Sequence, residues 1–189
     1  GFSAGRDAVT VSARMLSENA SESAALLATA LSAPRFDPDP VARVRGQILS
    51  SIASSKTDPR AMARKAWYAR AFPDHPYGTP TNGTEEGVGG ITVEDMEEMR
   101  AELLTRSSAT VGIVGDVDVE AAGALVDTIL ADLPEGDPHT AETVAGTPPP
   151  GTEVVALDVP QSAAIFGHAG IDRDDPDFIP AYVMNYILG

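Results

Sequence analysis

The chain contains no cysteine and only three histidines, and beyond Arg106 it carries a single further cation, Arg173. Without cysteine there are no disulfides, no thiolate metal sites and no thiol nucleophile, while both cytoplasm and periplasm stay open as compartments. The histidines His75, His139 and His168 are too far apart in sequence to form a local imidazole pair on a metal. No apolar run reaches the eighteen residues of a membrane span, and the first thirty residues lack the basic start, apolar middle and cleavage site of a leader. The net charge of −15 makes nucleic acid and anionic lipid poor partners, since each phosphate contact needs a cation. Both ends, Gly1-Phe2-Ser3 and Tyr186-Ile187-Leu188-Gly189, read as cuts in a longer chain, so the missing leader says nothing of the parent protein.

What is present is a globular composition: 189 residues with 43% apolar, enough for a real core. The basic residues gather between Arg35 and Arg70, a stretch expected to give solvated helix faces. Alternation over Asp7–Met15 predicts a strand. Asn19 with Glu22 forms a capping-box pattern before a helix whose stripe is Leu26, Leu27, Ala30 and Leu31, ended by Pro34. Asp39-Pro40 opens a second helix with Val41, Val44, Ile48 and Ile52 inward, and Asp58-Pro59 opens a third, closed by Phe72-Pro73. His75 through Gly83 is an ordered loop. Thr92 and Asp95 cap a fourth helix, Ala109–Val114 reads as a buried strand, and Asp118 starts another helix. Pro134–Gly151 loses all periodicity and reads as a linker. Beyond it, 153–157 and 162–166 read as strands, and Asp175-Pro176 starts a helix bearing Ile179, Tyr182, Val183 and Ile187. This order lacks the regular alternation of a doubly wound sheet and predicts an α+β layer fold, an antiparallel sheet covered by helices.

Few constellations carry chemistry. Gly112–Asp116 sits where a nucleotide loop would, yet neither glycine fingerprint is present. Asp172–Asp177 superficially follows a calcium loop, but Asp177 stands where glycine is required and Val183 where the bidentate glutamate belongs, so a helix cap is the expectation. His75 is expected to brace its turn, His139 to lie solvated in the linker, and His168 to sit on a strand. No G-x-S-x-G elbow supports a serine nucleophile.

Several segments, taken in order, resemble the pitrilysin/insulinase and mitochondrial-processing-peptidase family of zinc peptidases over nearly the whole chain. They are Leu31–Asp37, Phe72-Pro73-Asp74-His75-Pro76-Tyr77-Gly78 with Gly83-Thr84-Glu85, Ile91–Met96, Val114–Asp118, Leu133-Pro134, Pro160-Gln161-Ser162, Phe166-Gly167, Gly170-Ile171, Asp175-Pro176-Asp177 and Asn185–Gly189. The resemblance implies a bacterial member with most of a first α+β domain over 1–133, lacking its opening strands. It further implies a linker over 134–151 and the start of a second, similar domain over 152–189. The family's zinc site uses an inverted H-x-x-E-H on a helix, two histidine ligands with glutamate as base, and that motif would lie before Gly1.

The family's third ligand is a glutamate on a later helix, seven residues after the first glutamate of a Glu-Arg pair. Laid on the helix after Phe36-Asp37-Pro38, the pattern puts Val44-Arg45 over Glu-Arg and Ser51 over the ligand. Both acidic positions are lost, and neither Gly46, Ser50 nor Ile52 restores them. The expectation is therefore a chain with no catalytic and no metal-binding residue and no cofactor of its own, zinc belonging to a partner or to the missing N-terminal region. The family's paired subunits suggest a non-catalytic subunit enclosing peptide substrates with a zinc-bearing peptidase partner. Two alternatives stay open: part of an active zinc endopeptidase, and an acidic binding or assembly module. The compartment is undecided, the resemblance leaning to the bacterial periplasm.

Overall fold

A computed structural model describes residues 1–137, 144 and 150–188. The chain forms two compact units, one of Gly1–Ile52 with Thr81–Thr143, the other of Ala53–Pro80 with Val144–Gly189. Its class is α+β, rich in helix, with one two-stranded antiparallel sheet among the described residues.

In the first unit β1 (Phe2–Ala4) pairs with β2 (Val9–Val11), Phe2 opposite Val11 and Ala4 opposite Val9. The turn between them closes through the Gly5 N–H to the Ala8 carbonyl at 2.8 Å. Helix α1 (Ala20–Ser32) packs against α6 (Val119–Leu130). Its buried positions are Ala24, Ala28 and Leu31, about one turn apart, the two alanines small enough to admit a close neighbour. Leu26 is 73% exposed and Ala30 is exposed, so the expected stripe keeps Leu31 but is rotated by about a quarter turn toward the alanines. The expected Asn19–Glu22 capping box does not form: the Asn19 side chain caps nothing, because a turn of 3-10 helix over Ser17–Asn19 already leads into α1.

Helix α2 (Pro38–Ser55) begins one proline earlier than expected. Phe36 before it adopts a left-handed φ of 47°, beside an Arg35–Asp37 ion pair of 2.7 Å. A short helix absent from the sequence expectations, α4 (Glu85–Gly90), starts at Thr84, whose hydroxyl accepts the Gly87 N–H at 3.0 Å. Helix α5 (Val93–Leu103) carries the expected capping box, and Asp118 caps α6 as expected. After α5 the loop holding Thr105, Arg106 and Ser107 clamps the end of α6. The Arg106 guanidinium donates to the carbonyls of Ala131 (2.6 Å) and Leu133 (3.1 Å), and the N–H groups of Arg106 and Ser107 reach Pro134 and Glu135.

In the second unit α3 (Pro59–Ala71) is capped by Asp58, which accepts the Arg60 N–H at 3.0 Å. A single 3-10 turn, Pro76–Gly78, packs against the end of α3. Helix α7 spans Phe178–Leu188, three residues later than Asp175 suggests. The segments 109–114, 153–157 and 162–166, expected as strands, form no ladder. A strand needs a neighbour to complete its hydrogen bonds, and none pairs with them among the described residues. Part of the expected linker, including His139 and Pro148-Pro149, lies outside the described residues.

Candidate functional site

The residues singled out by the zinc pattern both lie on α2. Seven residues advance a helix by about 10 Å and almost two full turns, so Val44 and Ser51 share one face. Val44 is 45% exposed and Ser51 is exposed as well, whereas Ile52, next in line, is buried. Val44 was expected to point inward; it lies on the outer side because Ile52, Leu49 and Ile48 already define the covered side. Arg45, the arginine of the pattern, is engaged: its guanidinium donates to the Ile91 carbonyl at 2.5 Å, just ahead of the α5 cap.

This face does not suit a zinc ion. A valine has no donor atom, and a neutral serine hydroxyl is a weak ligand where a carboxylate would neutralise charge. Among the described residues no group of three His, Asp or Glu side chains comes together to hold a metal.

The remaining sequence candidates resolve into structural roles. His75 caps its own turn, its Nδ1 accepting the Tyr77 N–H at 3.1 Å, which places the ring proton on Nε2. Its ring meets Tyr77 edge-on at 4.6 Å, and Phe72 lies 5.4 Å from Tyr77 and 6.0 Å from Tyr68. The expected bracing role is what the geometry gives. His168 is exposed, its Nδ1 2.5 Å from the Ala169 carbonyl, and it sits on no strand. The acidic stretch before α7 is a cap: Asp175 Oδ1 accepts the Asp177 N–H at 2.8 Å, and its carbonyl accepts the Phe178 N–H at 2.9 Å. Gly115 has a φ of 153° and follows residues 109–114, which form no regular element.

One concavity, of about 540 Å³, lies wholly within the second unit. Met62, Ala66 and Trp67 of α3 form one wall, and Val155, Ala164 and Gly167 form the other. Gly167 gives the indole room, since a Cβ there would stand 2.8 Å from Trp67 Cζ2 and one of the two would have to shift. Arg70 ties the walls, 3.6 Å from Glu153 and 3.4 Å from the Pro150 carbonyl. Sequence reading passed over this trough because its two walls are some ninety residues apart.

The family described as "Peptidase M16 inactive domain" matches residues 90–189, more than half of the chain. The chain belongs to the M16 peptidase family. Over 188 residues it is 27% identical to the probable mitochondrial-processing peptidase subunit beta of Arabidopsis thaliana, covering 97% of this chain and 35% of that protein. It is 21% identical over 180 residues to the non-peptidase homolog YmxG of Helicobacter pylori, covering 95% of this chain and 42% of that one. The crystal structure of a peptidase M16 inactive domain from Pseudomonas fluorescens superposes with a TM-score of 0.61 at 25% identity, over 66% of this chain and 30% of the other. The chain thus spans less than half the length of these relatives. The family seen in the ordered segments and the helix-rich α+β class both stand.

Proposed function

We propose that this M16 chain is part of a non-catalytic subunit that encloses peptide substrates together with a zinc-bearing partner. The observation that carries the reading is the α2 face, neutral at Val44 and Ser51 where a zinc helix of the family would present carboxylates. The match to a family described as inactive, and a relative named a non-peptidase homolog, support it. In this reading residues 1–133 are most of the first domain, 134–151 the linker and 152–189 the start of the second. The role left to such a subunit is shape: it binds and orients an extended peptide while water activation belongs to the partner's metal.

The test is made on the full-length protein purified alone. Zinc is measured by mass spectrometry of the metal and peptide cleavage with a quenched fluorescent library, then both are repeated with a zinc-bearing member of the family added. Expected are substoichiometric zinc and no cleavage alone, with cleavage by the mixture exceeding that of the partner by itself. One tightly bound zinc and cleavage by the lone protein would support the active-endopeptidase reading instead. No effect on the partner would favour the binding or assembly module.

A further inference from the structure

Helix α3 is a cationic element in an acidic chain. It carries Arg60, Arg64, Lys65 and Arg70 and not one carboxylate, while the whole sequence holds 28 Asp and Glu and a net charge of −15. Arg70 is taken up by Glu153 and the Pro150 carbonyl. Arg60, Arg64 and Lys65 are exposed, and no ion pair engages them among the described residues. Asp58, the nearest carboxylate in sequence, is turned onto the helix start, its Oδ1 accepting the Arg60 N–H.

Arg60 and Arg64 stand one turn apart on the same face, a spacing at which like charges weaken a helix. The backbone that presents them is fixed at both ends. Asp58 and Pro59 cap the start, and at the other end the Phe72 N–H closes onto the Tyr68 carbonyl at 2.9 Å while Phe72 packs between Tyr68 and Tyr77. A ligand would therefore have only side-chain rotamers to order, and guanidinium groups accept carboxylates in bidentate geometry.

We infer that the Arg60 and Arg64 face of α3, with Lys65 at its flank, is a docking surface for a carboxylate-rich polypeptide segment of a partner protein. Size and charge select that occupant. A helix of this length spans about 20 Å, and at physiological salt its charges act over only about 8 Å, so a short anionic segment feels the patch alone. A nucleic acid duplex or an anionic membrane extends far beyond it, and a chain of net charge −15 repels such a polyanion. The inference stands apart from the pairing with a zinc-bearing subunit, since the docked segment need not come from a peptidase.

The test uses the full-length protein and fluorescently labelled peptides of about ten glutamates or ten glutamines, read by anisotropy at about 0.1 M salt. Expected is binding of the glutamate peptide about tenfold or more tighter than the glutamine peptide, with a loss of about tenfold in Arg60→Glu/Arg64→Glu. Arg14→Glu/Arg43→Glu makes the same charge change elsewhere and leaves the affinity within about twofold. If the reversal does not fold by circular dichroism, the milder Arg60→Gln/Arg64→Gln is read in its place. Equal binding of the two peptides, undiminished binding by the α3 variants, or tighter binding of a short DNA duplex at the same salt overturns the inference.

Discussion

Asp95 fastens the start of α5 with one carboxylate, accepting the Thr92 N–H at 2.7 Å and the Thr92 hydroxyl at 2.9 Å. The bond from the Thr92 backbone, then that from its side chain, hold the Asp95 carboxyl below its ordinary range. A carboxyl whose folded value is depressed adds stability above its unfolded value and loses it as pH falls through the folded one. Asp95→Asn should therefore be less stable than the parent at neutral pH, the gap closing below about pH 4. Urea unfolding of both proteins from pH 6 down to pH 2.5 measures it, and a gap that does not change with pH contradicts the assignment. Gly78 allows a second test at this scale. The Gly78 N–H closes the aromatic turn onto the His75 carbonyl at 2.9 Å, and a Cβ there would run into the Phe72 carbonyl oxygen, so Gly78→Ala should cost about 1–3 kcal/mol in the unfolding of the second unit. The cap and the turn were both legible, since Thr92-x-x-Asp95 and Pro76-Tyr77-Gly78 announce themselves locally. Val44 and Ser51 were not: a valine and a serine on a helix say nothing alone, and they acquire meaning only when an aligned pattern says what should stand there.

At the scale of elements, the helices were read well and the strands poorly, for one physical reason. A helix satisfies its backbone internally, so caps such as Asp58, Thr92 and Asp118 and a stop at Phe72 are sufficient signals. A strand is completed by its neighbour, and apolar runs such as 109–114 or 153–157 carry no information about whether that neighbour is in reach. Helix α4 escaped notice because Gly87, Gly89 and Gly90 outweigh the Thr84 cap in any propensity reading. The packing of α1 on α6 is the firmest contact between helices in the first unit, and Leu31, 5% exposed, is its largest buried side chain on α1. Leu31→Ala should cost about 2–5 kcal/mol, measured by chemical unfolding followed in amide exchange of α6. The Arg106 clamp behaves differently, since it acts on the end of α6 and not on its packing. Arg106→Ala removes the donors to Ala131 and Leu133 and should speed exchange at residues 131–136 by about tenfold, a local free energy of about 1.4 kcal/mol, with α1 unchanged. Faster exchange throughout α1 and α6 would instead make Arg106 part of the core.

Across the whole molecule, a high negative charge coexists with a large apolar surface in the second unit. Phe166 is 93% exposed, Val154 83%, and Tyr186, Ile187 and Leu188 on α7 are each near 80%. Large apolar side chains this exposed draw other apolar surface to them. The charge does not cancel that tendency. It keeps molecules apart at long range and is screened within about 8 Å at physiological salt, while apolar contact acts at van der Waals distance. Residues 1–189 expressed alone should consequently bind the dye ANS strongly and associate more as salt is raised, because screening removes the repulsion and leaves the apolar attraction. The opposite salt dependence would mean that charge pairing drives association. Phe166→Ser together with Ile187→Ser separates the two, lowering dye binding and association in parallel if these apolar residues are the cause. A chain that sediments as a monomer at both low and high salt, with no dye signal, would show that this surface is covered from within.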